Sequence, residues 1–253
     1  MLPRLRLFEI EDLPGCPVWL RNAMTGYLQT VIALARPYAV AAEPLAELLR
    51  SSGERRIVDL ASGGGGPWPG LADELRARGL EIELTCTDLY PNADAASRLP
   101  FHPQPVSALA VPAELGGART MFSALHHFAP EEVRAILAAA QEAEVPFASF
   151  EATHRSLRGL LASLVFPLTV LFVMPFVRPR RPLALLLTYL PPIVPLAVFW
   201  DGLVSMLRTY RVRELEAIAA EIRRPGYEWR VEEIPVQGAP IPVTAVLGRP
   251  VVP

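Results

Sequence analysis

Residues Ile57-Val58-Asp59-Leu60-Ala61-Ser62-Gly63-Gly64-Gly65-Gly66-Pro67-Trp68 read as a buried strand that runs into a glycine turn and then a helix. A second strand, Ile82-Glu83-Leu84-Thr85-Cys86-Thr87-Asp88, completes the unit and ends in an acid. Successive glycines remove every Cβ from the turn, so the backbone can approach a ligand while the next helix aims its N-terminal amides at it. In doubly wound folds an acid about 20 residues beyond such a turn accepts hydrogen bonds from ribose hydroxyls. Asp88 fills that position, and a nucleotide-like ligand is the expected occupant.

A dinucleotide site needs Gly-x-Gly-x-x-Gly, whose third glycine lets the helix pack on the strand. Counted from Gly63 that place is Trp68, and from Gly64 it is Pro69, so the dinucleotide pattern fails. A short-chain dehydrogenase would also need a Tyr-x-x-x-Lys pair, and the chain has no lysine. The turn instead resembles motif I of class I S-adenosylmethionine-dependent methyltransferases. That motif is an acid followed by Gly-x-Gly-x-Gly, here Asp59-Leu60-Ala61-Ser62-Gly63-Gly64-Gly65 with Ala61 in the first glycine place. Downstream, Thr120 to Phe128 resembles the family's fourth strand and the turn after it, and residues 145–151 resemble the fifth. Residues 208–215 resemble the following helix, and 227–236 with 241–247 the antiparallel pair that closes the sheet.

The resemblance implies an α/β fold with a seven-stranded, mostly parallel, doubly wound sheet, an antiparallel C-terminal strand, N-terminal helices and a helical apolar insertion. It implies S-adenosylmethionine as cofactor, held by Asp59, Ala61, Ser62, Gly63, Gly65, Asp88, Leu89 and Ser107, with Ser123 and Leu125 lining the pocket. Where the family often places an acid after its third strand, the chain offers Ser107-Ala108 and no carboxylate, so backbone amides would have to serve the adenine. Four segments follow: an N-terminal arm and helices over the cofactor site (1–50), the cofactor-binding core (51–155), the insertion (156–205), and a C-terminal helix and strand pair (206–253).

At 253 residues the chain can bury a large core, and a net charge of −2 provides no basic field for nucleic acid. Cys16 and Cys86 make neither a disulfide framework nor a four-thiolate site. Four histidines, two of them adjacent, without Cys pairs or His-x-x-x-His spacing, point to no metal. The N-terminus has no signal-like apolar core, so the expected setting is cytoplasmic, with the inner face of a membrane as an alternative.

The insertion holds two charge-free runs, 160–177 and 183–200, separated by Arg178-Pro179-Arg180-Arg181-Pro182. Eighteen helical residues rise about 27 Å, close to what a span needs. Pro167, Pro175, Pro191, Pro192 and Pro195 interrupt the runs, and an arginine tip on the far side would oppose the positive-inside tendency. Contact with a membrane surface or lipophilic substrate, an apolar lid or homodimer interface, and true spanning all stay open.

Methyl transfer from an electrophilic sulfonium chiefly requires alignment and exclusion of water; a base is needed only where the acceptor must lose a proton. His126 and His127, where the fourth strand ends, and Glu151, at the end of the fifth, are the catalytic candidates. If His126 and His127 continue the strand, only one can face the cleft. Substrate-binding candidates are Tyr27, His154, Asp201, Arg208 and Tyr210, although Asp201 also fits an N-cap for a helix over 202–208. The function expected is in-line methyl transfer to a lipophilic or membrane-associated small molecule. The alternative is a catalytically silent methyltransferase-like protein serving as a binding or assembly module.

Overall fold

The computed structural model describes residues 2–251. Residues 2–17 form an arm without helix or strand, as their prolines dictate. Helix α1 (Val18–Ala35) ends where Arg36 turns left-handed, φ 47°, just before Pro37. Helix α2 (Ala42–Ser52) stops at Gly53, φ 69°, the conformation glycine adopts most cheaply. Then follow β1 (Arg56–Asp59), α3 (Trp68–Ala77), β2 (Glu83–Cys86), the short α4 (Ala93–Ala96), β3 (Ala118–Phe122), α5 (Pro130–Glu142) and β4 (Phe147–Glu151).

The insertion carries α6 (Leu157–Ser163), α7 (Phe166–Val173), α8 (Pro182–Tyr189) and α9 (Ile193–Arg208), and the chain continues through α10 (Val212–Glu221), β5 (Tyr227–Ile234) and β6 (Val243–Pro250). The strand order is β2-β1-β3-β4-β6-β5. Pairs β1/β2, β1/β3 and β3/β4 are parallel, while β6 runs antiparallel to both β4 and β5. All five residues of β4 are buried, as in a parallel strand covered on both faces. Phe150 joins Leu45, Leu49, Trp68 and Leu75 on one face, and Phe147 joins Met121, Ile136, Leu137 and Leu215 on the other.

The sheet has six strands, not the seven expected. The missing edge strand falls in residues 91–112, where Pro100, Pro103, Pro105 and Pro112 remove donors that a ladder requires. What remains is a parallel bridge between Cys86 and Phe101 and a tight bridge between Ser107 and Ala110.

In the insertion, Pro167 and Pro182 sit in the first turns of α7 and α8, where a missing N–H is harmless. Among the described residues no single helix is long and apolar enough to cross a membrane; α6 with α7 and α8 with α9 form pairs bent by 40° and 80°. The inner faces of these helices close over α1 in a third core that joins Cys16, Leu20, Met24 and Tyr27 to Val170, Met174, Val177, Val194 and Val198. Asp201 lies inside α9 and caps no helix of its own, which corrects the N-cap expectation.

Candidate functional site

The carboxyl edge of β1 and β2 is organised by the glycine turn. Ala61, Gly63, Gly65 and Gly66 all have positive φ, 52°, 52°, 96° and 49°. Ser62 ties the two strands together beneath it: its amide donates to Thr87 O at 2.9 Å, its hydroxyl to Asp59 O at 2.9 Å. Asp59 is buried and accepts the Thr120 hydroxyl at 2.6 Å. Burial pushes its carboxyl up to about 6, against the hydrogen bonds from Ser62 and Thr120. Asp59 and Ser62 therefore shape the turn from below.

Asp88 reaches across from the end of β2. One carboxylate oxygen accepts the Gly63 amide at 2.8 Å and the other the Tyr90 amide at 2.8 Å. Each oxygen keeps lone-pair capacity for a further donor. A Cβ built on Gly63 would meet nothing within 4 Å, so the turn is open on that side. On the other side of the turn the gap is filled by protein: a Cβ on Gly64 would lie 2.8 Å from Thr25 Cγ2, and one on Gly65 2.2 Å from Leu99 Cδ1. Leu89 is exposed at the rim. Ser107 serves its own turn, accepting the Leu109 amide at 3.2 Å. Beyond β3, Ser123 (φ 45°) accepts the Tyr38 hydroxyl at 2.6 Å and the Ala152 amide at 3.1 Å.

His126 and His127 do not continue the strand. They lie in a 3-10 turn (Leu125–His127), so strand alternation does not separate them, and their ring centroids are 4.3 Å apart. Glu151 pins this turn: one oxygen accepts the Ala124 and Leu125 amides at 2.9 and 2.8 Å, the other lies 2.6 Å from His126 Nδ1. A carboxylate only accepts, so Nδ1 carries the proton and Nε2 is the free nitrogen of His126. Leu125 itself is fully buried in the core under α5.

Three catalytic candidates thus meet, and the N-terminal arm completes the cluster. Glu9, 2% exposed, places one oxygen 3.9 Å from His126 Nε2 and the other 3.3 Å from His127 Nδ1. Asp12 lies 3.0 Å from His127 Nδ1. Arg208, in the last turn of α9, donates to the carbonyls of His126 and His127 at 3.2 and 2.7 Å and to Asp12 at 2.9 Å, and stands 3.3 Å from Glu9. Burial would pull the His127 imidazole down, but the negative charges of Glu9 and Asp12 outweigh it and raise its pKa to about 9. Burial of Asp12 is likewise outweighed by His127 and Arg208, leaving it at about 2. Glu9, His126 and His127 also form the one group of possible metal ligands found among the described residues, but Arg208 already occupies the carboxylate.

Other candidates take supporting positions. The Asp201 carboxylate accepts the Ile10 and Glu11 amides at 2.7 and 2.9 Å, so it holds the arm. Tyr27 hydrogen-bonds Thr169 at 2.5 Å inside the third core. Tyr210 donates to Phe128 O at 2.7 Å beneath Arg4. His154 turns to Glu233 on β5, 3.1 Å away, and stays outside the cluster. Sequence reasoning missed Glu9, Glu11 and Asp12. Their partners Asp201, Arg208 and His127 lie far along the chain, so the run Glu9-Ile10-Glu11-Asp12 carries no local signal of the cluster.

No protein-family model matches the chain, and none of the curated proteins does. Solved structures match its fold. The plantazolicin methyltransferase BpumL, in complex with SAH, shares 8% identity over 92% of this chain and 98% of its own, with a TM-score of 0.51. Human N-acetylserotonin methyltransferase, in complex with SAM, shares 16% over 95% of this chain and 61% of its own, TM-score 0.50. The mitomycin 7-O-methyltransferase MmcR shares 16% over 94% and 55%, TM-score 0.46. The chain thus spans less than two thirds of the latter two and nearly all of the first. The fold is that of class I methyltransferases, here with a six-stranded sheet.

Proposed function

We propose that the chain is an S-adenosylmethionine-dependent methyltransferase acting on a lipophilic small molecule. The observation that carries this reading is Asp88 bridging to the Gly63 amide at an open stretch of the glycine turn, on the same sheet edge as the Glu151–His126 pair. Asp88 would take the ribose hydroxyls on the lone pairs left beside its bonds to the Gly63 and Tyr90 amides. The bound sulfonium supplies the electrophilic methyl group. The protein aligns the acceptor and excludes water, for which α1 and the inner face of the insertion form an apolar roof. Where the acceptor is a hydroxyl, His126 Nε2 takes its proton, because Glu151 fixes the ring with that nitrogen free. Glu9 now covers Nε2, so an acceptor reaches it by displacing Glu9.

Calorimetric titration with S-adenosylmethionine and its demethylated product tests the reading. Wild type should bind both, and Asp88→Ala should weaken both at least tenfold. No binding by folded wild type would overturn it. One observation favours the silent alternative: Thr25 and Leu99 occupy the ground beside Gly64 and Gly65, and the arm seals the histidines. A silent protein would show neither cofactor binding nor any change on Thr25→Ser and Leu99→Ala, which open that ground.

A further inference from the structure

The outward faces of the insertion do not look like those of water-facing helices. Along α6, α7 and the 3-10 turn Met174–Phe176, the exposed large apolar side chains include Leu157, Leu161, Leu164, Leu168, Phe172 and Phe176. They recur every three or four positions on either side of the 40° bend, so each helix carries an apolar outer stripe, with Phe172 at 74% and Phe176 at 68% exposure. Helix α8 repeats the pattern with Leu183, Leu186 and Leu190, and its Tyr189 hydroxyl donates to Leu171 O at 2.8 Å, tying it to α7. The opposite stripe, with Val170, Met174 and Ala184, is already buried against α1. More than half of the exposed large apolar side chains fall in this one-fifth of the chain.

Charge narrows what can cover this face. Between Glu151 and Asp201 there is no acid at all, and the five charged residues are Arg155, Arg158, Arg178, Arg180 and Arg181. Arg155 is buried on Glu214 and Arg181 pairs with Asp94, which leaves Arg158, Arg178 and Arg180. Among the described residues these three make no salt bridge, and all are exposed beside the apolar stripes. A second copy pairing through the same face would bring no carboxylate from this segment to meet them. An anionic bilayer supplies both halves of the match, acyl chains for the stripes and headgroups for the arginines.

We infer that the outer faces of α6, α7 and α8 are a docking surface for an anionic phospholipid membrane, held in the interface and not crossing it. The bent, short helices suit this depth: no helix of either pair exceeds 16 residues, and apolar faces of interfacial helices sink only about 5–10 Å. The inference stands independently of methyl transfer, since no residue of the histidine cluster takes part.

Co-sedimentation of the full chain with vesicles tests it. Phosphatidylglycerol-containing vesicles should bind the protein, phosphatidylcholine vesicles should bind it far more weakly, and raised salt should weaken the first. Replacing Arg178→Gln and Arg180→Gln together should lower partitioning about 25-fold, since each basic group near an anionic surface contributes about a factor of five. Phe172→Ser with Phe176→Ser should abolish binding to both vesicles while the melting temperature holds, because both rings lie on the surface. Absence of binding by folded wild type at low salt would overturn the inference. So would a concentration-dependent dimer that Phe172→Ser dissolves and that excludes vesicles, because the face would then belong to a second copy.

Discussion

The Glu151 carboxylate accepts three donors, two amides and an imidazole, and thereby sets both the shape of the Leu125–His127 turn and the tautomer of His126. Glu151→Gln keeps the size but turns one acceptor into a donor, so methyl transfer to a hydroxyl should fall about 100-fold or more while cofactor affinity is held. Steady-state rates beside calorimetry would separate the two. Glu9 is the other sensitive position. Replacing Glu9 by Ala leaves buried Arg208 with only the more exposed Asp12, and should cost about 3 kcal/mol in denaturant unfolding. His127 gives the cluster a pH signature. Its pKa is raised from 6.5 to about 9, so its contribution is complete below pH 6.5 and lost as pH rises through 9. For a side chain 31% exposed the loss is about 2 kcal/mol, and His127→Gln should flatten that limb of the melting-temperature curve.

At the scale of elements, the glycine turn, Asp88 and the β-strands were legible because period, turn residues and the closing acid are local properties of sequence. Two features were not. The seventh strand that the resemblance implies does not form because prolines in residues 91–112 remove ladder donors. Strand alternation for His126 and His127 failed because Glu151, 25 positions away, draws the chain into a 3-10 turn through long-range hydrogen bonds. The acidic arm was invisible for the same reason: its partners Asp201, Arg208 and His127 are distant in sequence. The turn itself makes a sharp prediction. Gly65→Ala puts a Cβ at φ 96° and 2.2 Å from Leu99 Cδ1, and should destabilise the fold by about 1–3 kcal/mol by thermal or denaturant melting.

For the whole molecule, the sheet carries cores on both faces while α1 and the insertion share a separate one. That division predicts unequal stability. In native-state hydrogen exchange, amides of α6–α8 should open at lower free energy than those of β1, β3 and β4, and anionic vesicles should protect the former selectively. One further consequence lies in the chain's itinerary. Arg4 grips the Arg208 carbonyl across 204 positions, and Ile10 and Glu11 end on Asp201. On the ribosome the arm therefore has no seat until α9 has emerged, so the histidine cluster cannot close before residue 208 is made, and His126 and His127 wait for the arm until then.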